Sequence, residues 1–159
     1  MLFITHILFA FLLSLFFKDF FNLNYLNYAI FLIIILFFSI FPDIDTPRSK
    51  LGRRTRPLSN IINSVFSHRK LFHSLFFIVL LLVFLFMLFG FINKAIIYAI
   101  ILGYASHLFL DSLTKEGINF LYPFSKLKIE GFINTNSLTE HILVAALTAM
   151  IILKLMGGI

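Results

Sequence analysis

The sequence predicts an all-α fold, a polytopic membrane bundle of about five transmembrane helices with a short interfacial amphipathic helix. Two observations predict it. Sixty per cent of the 159 residues are hydrophobic, only 13% are charged and 23 are phenylalanine, a composition typical of membrane proteins. The apolar residues also fall into five long runs, and most of these lack the polar stripe of a soluble helix.

The five runs are the expected spans. They cover residues 2–17, 25–41, 71–92, 95–113 and 138–156. The first is short for a span, which needs about 20 residues. It lacks the basic start and small-residue cleavage site of a signal peptide, so we expect it to be retained. The whole chain, residues 1–159, is expected to form a single membrane-embedded domain.

Two polar stretches connect the spans. Residues 114–136 predict at most a weak hairpin. Residues 42–70 carry seven basic side chains and include an amphipathic pattern behind Pro57, a residue suited to a first helical turn. Its apolar residues repeat at helical spacing, which predicts the interfacial helix. They are Leu58, Ile61, Ile62, Val65 and Phe66.

The basic residues predict the orientation in the membrane. If five spans alternate, ten Lys and Arg residues lie on the side of the N-terminus and three lie on the other. Cytoplasmic loops are the ones enriched in Lys and Arg. The N-terminus is therefore predicted to be cytoplasmic, and the C-terminus to lie on the opposite side of the membrane.

The same alternation brings ionisable residues from every span to the cytoplasmic face. A random scatter would divide them between the two faces, so this convergence indicates a site. The residues are His6, Asp43, Asp45, His68, His73, His107, Asp111, Glu140 and His141.

The residue types in this group favour a metal site. His107 and Asp111 are four apart, so both lie on one face of a helix. Asp43 and Asp45 would repel Asp111 at close range unless a cation neutralised them. Because the chain has no cysteine, thiolate ligands are excluded, and a His/carboxylate set suits zinc, manganese or iron. One or two ions are expected, and either Asp43 or Asp45 could be the general base.

Several of these residues have a second interpretation. His68 and His73 are five apart and would point to different faces of a helix, so we favour His73 as the ligand. His6 also fits a buried residue of a bundle, and Glu140 also fits a carboxylate at a helix N-terminus. Arg69 could bind a substrate phosphate or only fix the topology. His141 is turned away from Glu140 and is left out.

The residues resemble a known family. The motifs FPDIDTPRSKLGRR, SHRKLFHS, GYASHLFLDSLTKEG and LYPF, with Thr5-His6, resemble the YdjM family. Its members are described as membrane-bound metal-dependent hydrolases and as LexA-binding inner-membrane proteins. Lys70 and Phe72 stand where the family often has Gly and Thr.

The resemblance implies a function and a ligand set. It implies distant similarity to zinc-dependent phospholipase C and single-strand nucleases, hence a zinc-dependent hydrolase that cleaves a phosphoester of a lipid or of another membrane-delivered substrate. The metal residues it implies are His6, Asp43, Asp45, His73, His107 and Asp111, with Glu140 as an addition.

Two other functions remain open. One is a non-catalytic membrane protein whose structural metal site holds the helices together. Such a protein could dock a soluble regulator, a partner implied by the family name alone. The other is a metal transporter, which ranks last because transporters bind their ions near the bilayer midplane. Membrane lipids are expected partners. Nucleic acid is not, since no aromatic residues interleave the basic ones.

Overall fold

The computed structural model describes residues 1–47, 49–66, 71–89 and 93–157, and within these ranges it is helical, without strands. The predicted all-α fold class is therefore confirmed. The helices are α1 (Phe3–Phe20), α2 (Tyr25–Ile40), α3 (Lys50–Arg54), α4 (Arg56–Phe66), α5 (Leu75–Phe89), α6 (Lys94–Ser112) and α7 (Leu138–Leu155).

Four of these helices are long and apolar enough to cross a membrane. They are α1, α2 with the 3₁₀ segment Phe41–Asp45 that continues it, α6 and α7. Helix α5 has 15 residues, about 22 Å at 1.5 Å per residue, so it is shorter than the predicted third span. Part of the difference arises at its start, where residues 71–74 form a turn that precedes the helix, and the last three residues of the predicted span lie outside the described residues.

The polar stretch after α2 forms two short helices. The Ser49 side chain caps α3 by accepting a hydrogen bond from the Gly52 N–H at 2.9 Å. Helix α4 corresponds to the predicted amphipathic helix, and its apolar Leu58 and Ile61 are exposed. The sequence analysis did not predict α3, a single turn too short for a periodic pattern.

Helices α2 and α6 pack most extensively against each other. Gly103 of α6 faces the Ile35 carbonyl so closely that a Cβ there would lie 2.4 Å from its oxygen. Phe31 and Ile35 of α2 form a buried cluster with Ala10 and Ala99. Helix α1 also packs along α7. These contacts place the ends of α1, α2 and α6 side by side.

The segment between α6 and α7 folds back on the bundle. Ile118 and Ile129 exchange two backbone hydrogen bonds of 2.9 Å in an isolated antiparallel bridge, and Thr114 forms an isolated parallel bridge with Ile133. The predicted hairpin is therefore reduced to isolated bridges. The Phe120 carbonyl accepts the Leu75 N–H at 2.9 Å. The segment thereby fixes the start of α5 and the turn before it.

Candidate metal centre

Histidine and aspartate side chains from four parts of the chain meet in one cluster at the ends of the helices. All are buried except Asp43, whose side chain is 18% exposed. The cluster consists of His6 from α1, Asp43 and Asp45 from the 3₁₀ segment, His73 from the turn before α5, and His107 and Asp111 from α6.

Three donor atoms at the centre form a nearly equilateral triangle. The Nε2 atoms of His73 and His107 are 3.2 Å apart. Asp111 Oδ2 lies 3.5 Å from the first and 3.6 Å from the second. Two ligands of a tetrahedral zinc, each about 2.1 Å from the ion, are about 3.4 Å apart. The triangle therefore has the dimensions of one face of a zinc coordination shell.

Further donors flank this triangle. His6 Nε2 lies 3.4 Å from Asp111 Oδ1, and its ring stacks on that of His107 with centroids 4.1 Å apart. Asp43 Oδ1 lies 3.9 Å from His107 Nε2. Two overlapping donor groups result, His6–His107–Asp111 and Asp43–His73–His107, each with its atoms within 4.8 Å. The residues present fit one ion, or two that are bridged by the Asp111 carboxylate, whose Oδ1 faces His6 and whose Oδ2 faces His73 and His107.

A backbone carbonyl orients His107. Its Nδ1 lies 2.7 Å from the Ser39 carbonyl oxygen, which can only accept a hydrogen bond. Nδ1 therefore carries the hydrogen, and the lone pair on Nε2 points to the cluster, as in metal-bound histidines. Gly103 and Ile35 lie one helical turn before His107 and Ser39, so their close approach brings this pair together.

Asp45 lies on the outer side of the His73 ring. Its Oδ2 is 3.4 Å from His73 Nδ1, while its Oδ1 accepts a hydrogen bond from the Thr46 hydroxyl at 2.9 Å. Tyr104 of α6 donates a hydrogen bond to the Phe72 carbonyl and so helps to fix the turn that carries His73. Asp45 is thus placed to orient a ligand, whereas Asp43 approaches His107 Nε2 directly.

The carboxylates also change the charge of His73, which precedes α5. Burial alone would lower the pKa of this histidine, but the carboxylates of Asp111 and Asp45, 3.5 and 3.4 Å from its ring nitrogens, outweigh it and raise the pKa to about 9. At neutral pH, the metal-free protein therefore keeps His73 protonated. A metal ion must displace this proton.

Glu140 is buried at the start of α7 and anchors the N-terminal segment. Its carboxylate accepts hydrogen bonds from the Leu2 N–H at 2.7 Å, the Thr5 hydroxyl at 3.0 Å and the Asn136 N–H at 2.6 Å. It is not a member of either donor group among the described residues. The amino nitrogen of Met1, in the same segment, lies 2.8 Å from Asp111 Oδ1.

Two of the sequence-predicted residues, His68 and Arg69, lie outside the described residues. His141, left out on sequence grounds, is exposed and its Nδ1 lies 2.7 Å from the Ser137 carbonyl oxygen. The sequence analysis missed the Ser39 carbonyl and Gly103. A backbone acceptor has no side-chain signature, but a glycine one turn before a candidate ligand histidine could have indicated close helix packing.

Comparisons with known proteins agree with the membrane character of the chain. The family model described as YdjM inner membrane protein matches residues 1–158. The uncharacterized protein YvsG of Bacillus subtilis (strain 168) is 37% identical over 112 residues, which cover 69% of this chain and 68% of that protein. No solved structure is significantly similar to the chain.

The inner membrane protein YdjM of Escherichia coli (strain K12) is 37% identical over 87 residues, which cover 53% of this chain and 44% of that protein. The Shigella flexneri protein of the same name matches equally. The matched stretch thus spans less than half the length of these two relatives.

Proposed function

The chain belongs to the YdjM inner membrane protein family, and we propose that it is a membrane-bound metal-dependent hydrolase. The observation that carries the proposal is the triangle of His73 Nε2, His107 Nε2 and Asp111 Oδ2, with edges of 3.2–3.6 Å. Three donors from two separate parts of the chain, the turn before α5 and the end of α6, converge there. This arrangement suits a divalent cation, with zinc favoured by the mixed donors and manganese or iron as alternatives.

A hydrogen-bonded histidine–aspartate network explains the cluster less well. Ordinary N–H···O bonds measure about 2.7–3.2 Å, whereas the His–Asp separations around Asp111 are 3.4–3.6 Å. In addition, His6 Nδ1 is buried and makes no hydrogen bond within the described part of the chain. Buried polar atoms are normally satisfied, so a ligand for this set is the simpler explanation.

In this proposal the two aspartates of the 3₁₀ segment have different roles. His6, Asp43, His73, His107 and Asp111 would hold one or two ions, which would supply Lewis acidity and lower the pKa of water. Asp43 is the partly exposed carboxylate of the cluster, so it can take a proton from an attacking water and pass it to solvent. Asp45 is a positioning residue that holds the His73 ring.

We propose a phosphoester of a membrane lipid as the substrate. The cluster lies where the apolar helices end, at the level that a lipid headgroup would reach, and the cation-rich segment of α3 follows directly. The positive-inside rule supports a cytoplasmic site. Arg69 would contact the substrate phosphate, a role that rests on its sequence position alone.

Metal analysis combined with a turnover assay tests the proposal. The purified full chain should contain zinc, manganese or iron by plasma mass spectrometry and should hydrolyse bis(4-nitrophenyl) phosphate or a phospholipid. Asp111→Asn should weaken metal binding by more than tenfold, since even outer partners of a ligand are worth about 10–100-fold, and should abolish turnover. Ser112→Ala, next to it but outside the cluster, is the matched control. Turnover that survives in Asp111→Asn would refute the proposal.

Burial of the cluster favours a second candidate, a structural metal. His6, His73, His107 and Asp111 are at most 1% exposed, as in closed structural sites. The ion would then staple α1, the 3₁₀ segment and α6, and the protein could dock a soluble regulator at its cytoplasmic face. Bound metal without turnover on phospholipids and nucleotides would select this candidate.

A further inference from the structure

We propose that a pocket between α1, α2 and α3, separate from the metal centre, binds the headgroup of an anionic phospholipid. The pocket has a volume of about 460 Å³. Its lining combines three cations with three apolar side chains. They are Lys50, Arg53 and Arg54, and Phe3, Ile40 and Leu51.

Within the described part of the chain, none of the three cations forms an ion pair with a carboxylate. Lys50 Nζ lies instead over the ring of Phe3, another lining residue, 4.9 Å from its centroid, a favourable cation–π contact. Three positive charges that face one volume attract an anion, and guanidinium groups match the geometry of a phosphate.

The apolar part of the pocket selects an amphipathic anion. A free phosphate ion next to Phe3, Ile40 and Leu51 would lose hydrating water without gaining a favourable contact. These side chains can, however, pack against the glycerol and first methylenes of a lipid. Neighbouring α4 exposes Leu58 and Ile61, as expected of a helix that lies in the membrane surface. The pocket is therefore at the depth where lipid phosphates occur, and we assign it to a lipid.

The pocket adjoins the metal centre on two sides. Phe3 lies one turn before His6 in α1, and Ile40 follows Ser39, whose carbonyl orients His107. A lipid bound there would sit beside the cluster, either as a substrate or as a fixed neighbour. Binding itself requires no hydrolysis and no metal, so it can be tested independently of the proposed function.

A titration of the full chain with short-chain lipids tests this site. In a neutral detergent, dioctanoyl phosphatidylglycerol should bind saturably, and dioctanoyl phosphatidylcholine should bind more weakly. Arg53→Gln and Arg54→Gln should each weaken phosphatidylglycerol binding about fivefold, the expected effect of one cation near a lipid phosphate. Arg56→Gln removes the same charge from the neighbouring helix but lies outside the pocket, so it should leave the affinity unchanged.

Three results would overturn the proposal. An equal loss in Arg56→Gln would indicate diffuse surface charge, and equal binding of phosphatidylcholine would exclude headgroup recognition. Effective competition by inorganic phosphate would identify a free-phosphate site and not a lipid site. Both arginines are exposed, and unchanged thermal unfolding of the lipid-free variants would show that they remain folded.

Discussion

At the scale of single residues, Asp43 and Asp45 differ in what surrounds them. Asp45 is buried, accepts a hydrogen bond from Thr46 and faces His73 Nδ1. Asp43 keeps 18% of its side chain exposed and faces His107 Nε2. A carboxylate that exchanges protons with solvent needs access to it, while one that orients a ligand benefits from burial.

This difference predicts that two isosteric substitutions impair different properties, metal binding for one and turnover for the other. Asp45→Asn should weaken metal binding by about 10–100-fold, because His73 loses the carboxylate that orients it. Asp43→Asn should lower kcat by at least about 100-fold even at saturating metal, whereas Asp45→Asn should regain most of its turnover once the metal is saturating. Metal titration and steady-state kinetics on both variants measure the two effects. A turnover defect at saturating metal in Asp45→Asn but not in Asp43→Asn would contradict the assignment.

The protonation of His73 predicts how metal binding depends on pH. With a pKa raised to about 9, His73 must release a proton when it binds a metal, so affinity should rise with pH up to about 9. Below that value the apparent affinity should fall by about tenfold per pH unit for one proton. Chelator competition between pH 6.5 and 8.5 measures the slope.

His73→Gln removes this proton and serves as the control for the pH series. The metal affinity of this variant should be weaker, and it should change less steeply with pH than the metal affinity of the unsubstituted chain. A pH-independent affinity in the unsubstituted chain would mean that His73 is not a ligand.

At the scale of secondary-structure elements, the contact between α2 and α6 determines the geometry of the site. Gly103 lets the Ile35 carbonyl approach, and one turn further along the Ser39 carbonyl reaches His107. The 3₁₀ segment then leaves the end of α2 with Asp43 and Asp45. The two helices thus position His107, Asp111 and both aspartates relative to each other.

Gly103→Ala should therefore damage both stability and metal binding. The added Cβ would lie 2.4 Å from the Ile35 carbonyl oxygen, and overpacking of this kind costs about 1–3 kcal/mol. Thermal unfolding and metal titration measure the two consequences. Ala105→Val adds more volume on an exposed face of the same helix and should be tolerated. Normal metal binding in Gly103→Ala would show that the helix spacing does not control the site.

At the scale of the whole molecule, the number of membrane crossings depends on α5. Among the described residues, four helices have the length to cross, whereas the described part of α5, at about 22 Å, is shorter than a hydrocarbon core of about 30 Å. Glu140 at the start of α7 bonds to Leu2 and Thr5 at the start of α1, and His107 near the end of α6 meets His6 and Asp43. If α1, α2, α6 and α7 all cross, the segment between α2 and α6 must cross as well, and α5 is its long apolar helix. We therefore expect five crossings, with the two termini on opposite sides.

Reporter fusions at two positions test this topology. A reporter fused after Lys50 should behave as cytoplasmic, because the cation-rich segment begins there. A reporter after Gly157 should lie on the opposite side. A periplasmic signal after Lys50 would overturn the orientation, and signals on the same side at both positions would contradict the five-crossing arrangement.

Much of the fold and part of the site follow from the sequence because they depend on local geometry. Composition and the lengths of the apolar runs determine the membrane helices. The four-residue spacing places His107 and Asp111 on one helical face, since helix geometry alone positions residues one turn apart. Pro42 and the aspartates after it similarly indicate where α2 ends.

The tertiary structure decided the relations between residues far apart in the chain. It placed His6 in the cluster, although a lone histidine in an apolar helix has no pattern. It gave Asp43 and Asp45 different surroundings and directed Glu140 to Leu2 and Thr5. These contacts depend on how closely the helices pack and at what rotation, which is set by side-chain volumes at their crossings and not by spacing along one helix.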